Sequence, residues 1–275
     1  GAWVLHRRYP IAASILIITV LFGLSLRSVH YQTDVMSYFR QKERLIRDTV
    51  RDWVSARFLP AVAEHFREGR FPIEIVSEMG SMGILGPQIP GEGSPEIGAV
   101  GYGLIQQELE RGDSGLRSFA SVQGSLVMHP IHCYGTDLQR ARWIPLLRSG
   151  RAIGCFGLTE ADAGSNPGAM RTVARRDGDS YILNGSKMWI TNGSIADVAV
   201  VFARVDDGIQ GFLVGAGTPG FSVREIKNKW SLRASVTSEL HFDDCRLAAD
   251  AILPGAVGLK AALAIEKIYA KQNAV

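Results

Sequence analysis

Residues 155–168 have the sequence Cys-Phe-Gly-Leu-Thr-Glu-Ala-Asp-Ala-Gly-Ser-Asn-Pro-Gly. Two hydroxyls, on Thr159 and Ser165, and two carboxylates, on Glu160 and Asp162, lie within it. The apolar residues at its start are typical of a buried strand, and the Asn-Pro-Gly at its end cannot continue a regular element. A glycine-rich loop above such a strand can bring N–H groups and hydroxyls to a polar ring or a phosphate. The same composition also fits an ordinary surface loop.

The composition is that of a globular protein. Of 275 residues, 46% are hydrophobic and 21% are charged, and the formal net charge is +3. This small charge, without a long run of Lys or Arg, does not indicate nucleic-acid binding. Three widely spaced cysteines form no CxxC pair, so neither a zinc site nor a disulfide framework is indicated. Reduced thiols fit a cytosolic or matrix compartment.

The first 33 residues contain no Asp or Glu and include an uncharged apolar run over residues 10–26. That length is at the short limit for crossing a bilayer. Three interpretations stay open: a transmembrane anchor, an uncleaved targeting segment, and translated sequence outside the functional protein. The chain begins with Gly rather than Met, so we expect the natural start to lie further upstream.

Residues 34–150 are predicted to form an all-helical domain. From Leu45 to Phe58, apolar residues recur at spacings of three and four, with charged residues between them. Thr136 with Gln139 forms a capping-box pattern ahead of a further helix. The other helices are expected over residues 73–82, 100–111, 121–134 and 141–147.

Residues 151–253 are predicted to form a β domain. Two short strands over residues 180–183 and 187–190 flank Asn184-Gly185, which is a hairpin signal, and Asn192-Gly193 marks a second turn. Strands at this spacing indicate a small β-barrel or sandwich. The predicted fold class is therefore α+β, with residues 254–275 as a tail that becomes helical again. Four more strands are expected over residues 198–205, 211–214, 221–226 and 239–242.

Four segments, in this order and at these spacings, resemble the acyl-CoA dehydrogenase family, most closely its glutaryl-CoA dehydrogenases. They are residues 113–123, the opening loop, residues 188–192 and residues 229–235. The resemblance covers about residues 34–258. It implies a helical N-terminal domain and a β-barrel middle domain. The family's C-terminal helical bundle has no counterpart here, since the residues from 259 onward do not resemble its start.

The resemblance implies an FAD site. The opening loop would hold the pyrimidine side and N5 edge of the ring, Trp189 would lie against its face and Thr191 would hydrogen-bond its edge. A ring that receives hydride becomes anionic and needs fixed donors. Without this context, such a tryptophan belongs more often to a core than to a cofactor platform. The implied cofactor residues are Phe156, Gly157, Leu158, Thr159, Glu160, Ser165, Trp189, Ile190 and Thr191.

The resemblance also implies an acyl-CoA substrate that carries a second carboxylate. Arg117, beside Ser118, would form a charge-assisted bond to that distal carboxylate, and Glu110 would lie near the same end. A fatty acyl tail would offer a buried Arg no partner. The alternative for Arg117 is a surface ion pair with Asp113. The implied substrate residues are Glu110, Arg117, Ser118, Ser165, Ser231, Leu232 and Arg233.

For the other polar residues we predict a structural role or no role in the site. Glu160 and Asp162 are expected to order the loop rather than act as an acid–base pair. His129 and His132 lack acidic or Cys partners at ligand spacing, so we expect no metal site. Asn228 stands where the glutaryl enzymes tend to have Gly. The family's catalytic base is a Glu of the C-terminal bundle, expected beyond Val275, so no residue of this chain is assigned as catalytic.

The implied reaction is oxidation of glutaryl-CoA and decarboxylation to crotonyl-CoA, as in lysine and tryptophan degradation. Electrons would pass to an electron-transfer flavoprotein, and the full-length protein would be a homotetramer in the mitochondrial matrix or bacterial cytoplasm. The isolated chain is expected to bind FAD weakly or not at all and not to turn over. Two other hypotheses are an acyl-CoA dehydrogenase of broader specificity and a non-catalytic protein anchored to a membrane through residues 10–26.

Overall fold

The structure is a computed structural model that describes residues 41–206 and 208–273. The described residues from 45 onward belong to one compact unit, which contains the sheet and nearly all described helical residues. Helices come first and the sheet follows, which confirms the α+β class. No helix within the described ranges has the length and apolarity needed to cross a bilayer. Residues 10–26 lie outside those ranges, so the hypotheses about them stay predictions.

Helices occupy the first part of the described chain. Thr136 and Gln139 form the predicted capping box, each side chain accepting from the other's backbone N–H, and the helix begins at Asp137 rather than residue 141. Asp113 caps another helix by accepting from the Gly115 N–H. Two π-helical segments, Val54–Phe58 and Val122–Met128, interrupt the α-helices. The α-helices are α1 (Gln41–Trp53), α2 (Leu59–Glu68), α3 (Val76–Ser81), α4 (Ala99–Gly112), α5 (Ser114–Ser121), α6 (His129–Tyr134) and α7 (Asp137–Arg148).

Eight strands of the described ranges form one sheet. They are β1 (Gly154–Gly157), β2 (Val173–Asp177), β3 (Ser180–Thr191), β4 (Val198–Val205), β5 (Gly208–Gly215), β6 (Phe221–Glu225), β7 (Thr237–Leu247) and β8 (Ile252–Val257). The hydrogen-bonded order is β6-β7-β3-β2-β4-β5-β8, and β1 pairs in parallel with β4. Among the described strands, no pairing joins β6 to β8. A last helix, α8 (Gly258–Asn273), follows, so the expected boundary after residue 253 falls inside β8.

The hairpin predicted at Asn184-Gly185 is wrong. β3 continues through both residues, and its pairing with β7 shifts register there, so the glycine forms a bulge. Gly185 has φ +136°, and a Cβ would lie 2.7 Å from the Cα of Thr172. The tight turn instead uses Gly178 and Asp179, between β2 and β3. The sequence signal is the same Asp/Asn-Gly pattern, which occurs at both places.

β4 and the π-helical segment Val122–Met128 lie at the centre of the hydrophobic core. All seven residues of that segment are buried. Along β4, Val198, Val200 and Phe202 pack into the cluster shared with the helices, while the alternate residues pack among the strands. β1 lies directly against the π-helical segment, because a Cβ on Gly154 would come within 2.4 Å of Val127. The loop after β1 therefore emerges where helices and sheet meet.

Candidate functional site

The loop after β1 and the end of β3 share one cavity of about 130 Å³. The backbone N–H of Met188 donates to the carbonyl of Thr159 (2.9 Å), which joins the two segments. Six of the nine implied cofactor residues therefore face a common space, beside two residues of the π-helical segment and two of α8. The lining residues are Phe156, Leu158, Thr159, Trp189, Ile190, Thr191, Val122, Leu126, Glu266 and Tyr269.

Trp189 has an unusual backbone conformation. Its φ is +63°, and it lies in a register shift between Lys187 and Ile190. A bulky residue in the left-handed region is a genuine outlier that the surrounding structure must enforce. The bulge turns the indole outward, so that 58% of Trp189 is exposed. An apolar ring held on the surface in a strained conformation is typical of a binding platform rather than of a core residue.

The remaining implied cofactor residues do not line this cavity. Gly157 lies against Lys187, where a Cβ would come within 3.2 Å of its Cγ. Ser165 is exposed. The loop contains three glycines, Gly157, Gly164 and Gly168. None of them has a positive φ, so the loop does not use the left-handed conformation that glycine allows. The left-handed residues nearby are Trp189 and Asn192, and the latter marks the predicted second turn.

Glu160 orders the loop from inside. Its carboxylate accepts from the backbone N–H groups of Arg171 (2.6 Å) and Thr172 (3.0 Å) and from the Lys187 ammonium (2.8 Å). Burial pushes the pKa of Glu160 upward, but these hydrogen bonds outweigh it and the net pKa lies below the usual range. Asp162 is exposed, with its carboxylate 3.5 Å from the Arg171 guanidinium. Glu160 therefore has a structural role: it lies behind the residues that line the cavity and holds the loop in position.

Gln123 joins the helical layer to the start of β1. Its amide nitrogen donates to the carbonyls of Leu147 (2.9 Å) and Ala152 (2.8 Å), and its oxygen accepts from Gly154 N–H (2.9 Å). The side chain is fully buried. The segment of residues 121–123 therefore fixes the strand from which the cavity loop departs.

A second, larger cavity of about 550 Å³ is also lined by Trp189. Trp189 and Thr191 line both cavities. The segment after β6 supplies most of the rest, including Ser231, Leu232 and the fully exposed Trp230. Asn228 in this segment has φ +58°, a conformation that glycine adopts freely and Asn tolerates.

Arg233 does not face either of these cavities. Its guanidinium donates to the carbonyls of Phe66 (2.9 Å) and Arg67 (2.8 Å) at the end of α2 and to the carbonyl of Lys229 (3.0 Å). Positive charge at a helix C-terminus is favourable. Arg233 thus holds the segment after β6 against the helices, while Ser231 and Leu232 line the larger cavity.

Arg117 forms its ion pair with Glu110 and not with Asp113, the partner that the surface-pair alternative named. The Arg117 Nε lies 2.8 Å from Glu110 Oε2, and Asp113 is occupied by its capping bond. Burial lowers the pKa of Arg117, yet hydrogen bonds with Glu110 and Tyr269 leave it raised overall. Through Tyr269, Arg117 stands behind the end of the smaller cavity. Ser118 is half-buried and lines neither cavity.

Three residues of the site were not found from the sequence. Lys187 is buried in β3 and binds Glu160 and the Leu158 carbonyl (3.1 Å). Glu266 and Tyr269 reach the cavity from α8, at i and i+3, a spacing that places both on one helix face. The i, i+3 spacing was visible in the sequence, but the contact of α8 with the cavity was not.

Comparison with known proteins agrees with this arrangement. Two family descriptions match: acyl-CoA dehydrogenase, N-terminal domain, over residues 40–151, and acyl-CoA dehydrogenase, middle domain, over residues 155–245. The mitochondrial short-chain specific acyl-CoA dehydrogenase of Homo sapiens is 38% identical over 231 residues, which are 81% of this chain and 56% of that protein.

Solved structures agree as well. A glutaryl-CoA dehydrogenase from Mycobacterium smegmatis, in complex with FADH2, is 54% identical with a TM-score of 0.84, covering 86% of this chain and 61% of that one. A chain from a structure of the electron transferring flavoprotein of Acidaminococcus fermentans is 33% identical with a TM-score of 0.80, covering 85% and 64%. The chain thus spans less than two thirds of these relatives. Its helices, its sheet and both matches place it in the acyl-CoA dehydrogenase family, of which it contains the N-terminal and middle domains.

Proposed function

We propose that the chain forms part of an FAD-dependent acyl-CoA dehydrogenase. The observation that carries this proposal is the wall made by Trp189, Thr159 and Thr191. It presents an exposed aromatic face beside two hydroxyls, and Trp189 and Thr191 line both cavities. A flat heteroaromatic ring with polar edges needs this combination of a stacking face and fixed hydrogen-bond donors.

The residues present fit an isoalloxazine ring. Trp189 would stack on it, and Thr159 and Thr191 would bond its polar edge, because they are the hydroxyls of the wall. When bound, the flavin supplies a hydride acceptor. Phe156, Leu158 and the π-helical segment would exclude water from the reacting atoms, as their apolar side chains form the rest of the wall.

The FAD proposal is tested by titrating the full-length protein, and in parallel the isolated chain that is expected to bind FAD weakly or not at all, with FAD while following flavin fluorescence. Thr191→Val is expected to raise the dissociation constant about fivefold to tenfold, since a hydrogen bond to the ring is worth about 1–1.5 kcal/mol. Thr49→Val, at an exposed helical threonine, is the matched control and should leave binding unchanged. Equal affinities for the two variants would contradict the assignment of Thr191.

The substrate that we propose is glutaryl-CoA, oxidised between its α and β carbons and then decarboxylated to crotonyl-CoA. Arg117 supports this substrate, because it stands behind the cavity with Tyr269 between. A distal carboxylate could compete with Glu110 for the guanidinium. After oxidation, loss of CO2 leaves an electron pair that delocalises into the enoyl thioester, where a proton completes the product.

Arg117→Gln tests the substrate through binding. The variant is expected to weaken binding of glutaryl-CoA about tenfold to a hundredfold, as for a lost bond to a charged group of about 1.5–3 kcal/mol. Binding of butyryl-CoA, which has no distal carboxylate, should hardly change. Arg246→Gln, at an exposed arginine of β7, is the control. A glutaryl preference that survives Arg117→Gln would exclude Arg117 as the selector.

A second candidate is oxidation of short, uncharged acyl-CoA thioesters. The observation in its favour is the Arg117–Glu110 pair, which already neutralises the charge that a distal carboxylate would need. In this case wild-type protein would bind butyryl-CoA at least as tightly as glutaryl-CoA. The same titrations therefore separate the two candidates.

We also propose an electron-transferring flavoprotein as the electron acceptor, a homotetramer as the full-length assembly, and a mitochondrial matrix or bacterial cytoplasmic location. The match to a chain from a structure of such a flavoprotein supports the first. The exposed Trp230 and Leu232 beside the cavity offer an apolar surface for a partner. Reduction of that flavoprotein by the acyl-CoA-treated full-length protein is the direct test, since the isolated chain is not expected to turn over.

A further inference from the structure

Gln106 of α4 is a buried amide that bonds nothing in the part of the chain that the structure describes. Only 3% of the residue is exposed, and neither its Nε2 nor its Oε1 has a hydrogen-bond partner there. An unpaired amide that is removed from water costs free energy, because its hydrogen bonds to the solvent are lost and not replaced. The position of Gln106 is therefore not explained by the stability of the fold.

Three other glutamines are buried in the described ranges, and the backbone holds each of them. Gln123 bonds three backbone groups around the start of β1. Gln139 donates to two carbonyls at the start of β8 and just before it, and Gln210 donates to two carbonyls within β8. These three side chains join distant segments of the chain, whereas Gln106 joins none.

Gln106 belongs to a polar row on one face of α4. Tyr102 lies four residues before it and Glu110 four residues after it, a spacing that places all three on the same side of a helix. The Tyr102 hydroxyl lies 3.3 Å from Ser125 Oγ of the π-helical segment, and Glu110 binds Arg117 of α5. Both neighbours are directed toward α5 and the π-helical segment, and Gln106 lies between them on that side.

This side of α4 is behind the smaller cavity. Val122 and Leu126 of the π-helical segment line the cavity, and Tyr102 reaches the same segment from α4. The helix α8 packs against α4 as well and supplies Tyr269 to the cavity. Because Tyr269 also bonds Arg117, Gln106 stands behind the Tyr269 end of the cavity, next to the Arg117–Glu110 pair.

The groups around Gln106 determine which ligand group its amide suits. Burial raises the pKa of Tyr102 to about 12, so the hydroxyl keeps its proton and remains a donor. The Gln106 oxygen can accept that donor one turn away, which leaves the two N–H bonds of the amide for a ligand. A ligand group at this place has to accept hydrogen bonds beside a guanidinium, and a carboxylate does so best.

We infer that Gln106 is a specificity-determining residue for the acyl chain, donating from Nε2 to an oxygen of a distal carboxylate beside Arg117. This inference rests on the proposed function. Glu110 already takes one edge of the Arg117 guanidinium, so the neutral amide supplies a further donor without a further charge. An acyl chain that ends in a methyl group leaves the amide without a partner, and an unmatched buried polar group discriminates strongly against such a substrate.

Steady-state kinetics of the full-length protein with FAD test this assignment. The ratio of kcat/KM for glutaryl-CoA to kcat/KM for butyryl-CoA is measured in wild type and in Gln106→Met, which nearly keeps the length and volume of the side chain. The ratio is expected to fall about tenfold to a hundredfold, the range for a lost hydrogen bond to a charged group. Gln107→Met, at an exposed position of the same helix, is the matched control and should keep the wild-type ratio.

Thermal unfolding gives a second readout that does not depend on activity. Gln106→Met is expected to keep or raise the unfolding midpoint, since an apolar side chain replaces an unpaired buried amide. A residue that serves the fold would instead lower the midpoint when it is replaced. A lowered midpoint for Gln106→Met, or an unchanged ratio of the two kcat/KM values, overturns the inference.

Failure of the proposed function has a different signature. If neither thioester reduces the flavin of the wild-type full-length protein, the proposed function is wrong and the role of Gln106 with it. If wild type oxidises glutaryl-CoA and Gln106→Met keeps the wild-type ratio, only the assignment of Gln106 is wrong.

Discussion

Lys187 and Glu160 form an ion pair in the interior, with Nζ 2.8 Å from Oε1 and the two side chains 0% and 8% exposed. The lysine belongs to β3 and the glutamate to the loop after β1. Lys187 also donates to the carbonyl of Leu158. The pair therefore sets the distance between the two segments that carry Thr159 and Trp189.

Lys187→Met is expected to destabilise the chain by about 3 kcal/mol, because it leaves the Glu160 carboxylate buried without a cation. The double variant Lys187→Met/Glu160→Gln should recover part of this loss. Urea unfolding gives the free energies. Arg246→Met, which breaks an exposed pair with Asp177, is the control and should cost less than about 1 kcal/mol. If Lys187→Met and Arg246→Met lower the free energy of unfolding equally, burial of the Lys187–Glu160 pair adds nothing to its contribution to stability.

Gln123→Leu is expected to destabilise the chain by about 3 kcal/mol, since the carbonyls of Leu147 and Ala152 and the N–H of Gly154 would each lose a buried partner. Gln107→Leu, on the exposed side of α4, should have little effect. Thermal unfolding measures both. The prediction fails if the two substitutions shift the midpoint by the same amount.

Replacement of Trp189 should reverse the usual order of Ala and Gly in a strand. At φ +63° an L-residue pays about 1 kcal/mol or more that glycine avoids. Trp189→Gly should therefore be more stable than Trp189→Ala by about 1 kcal/mol, although both lose the indole. At Ser186, an exposed β3 residue without positive φ, alanine should be the more stable. Denaturant unfolding of the four variants decides the matter.

Local sequence patterns predicted those helices and strands for which a single short motif determines the structure. The Thr136–Gln139 capping box and strand β4 follow from short motifs, and the structure has them as predicted. The pattern failed at Asn184-Gly185, where the pairing of β3 with β7 turns a hairpin signal into a bulge. That pairing joins residues about 60 positions apart, which no short window contains.

The site residues that belong to short sequence motifs could also be predicted, and those that depend on distant contacts could not. The resemblance pointed to Trp189 and Thr191, and both line the cavity. It could not show that Arg233 binds carbonyls of α2 or that Glu266 reaches the cavity, because both contacts depend on how distant elements pack. The strained conformation of Trp189 is likewise invisible in sequence, since tryptophan is a normal strand residue.

Glu266 and Glu160 should give stability profiles of opposite sign with pH. The folded-state pKa of Glu266 is raised above 4.5 by burial. Its contribution is therefore fully present below pH 4.5 and is lost as the pH rises through the folded pKa. Relative to wild type, Glu266→Gln should gain stability between pH 4 and pH 8, by on the order of 1 kcal/mol for a partly buried unpaired group.

The folded-state pKa of Glu160 is lowered despite its burial, because of its hydrogen bonds. The stability that it contributes is present above pH 4.5 and is lost as the pH falls through the folded pKa. Glu160→Gln should therefore fall further below wild type as the pH rises from 2 to 6. Thermal unfolding across this range measures both differences on one scale. Slopes of the same sign would mean that Glu266 is paired in solution as Glu160 is.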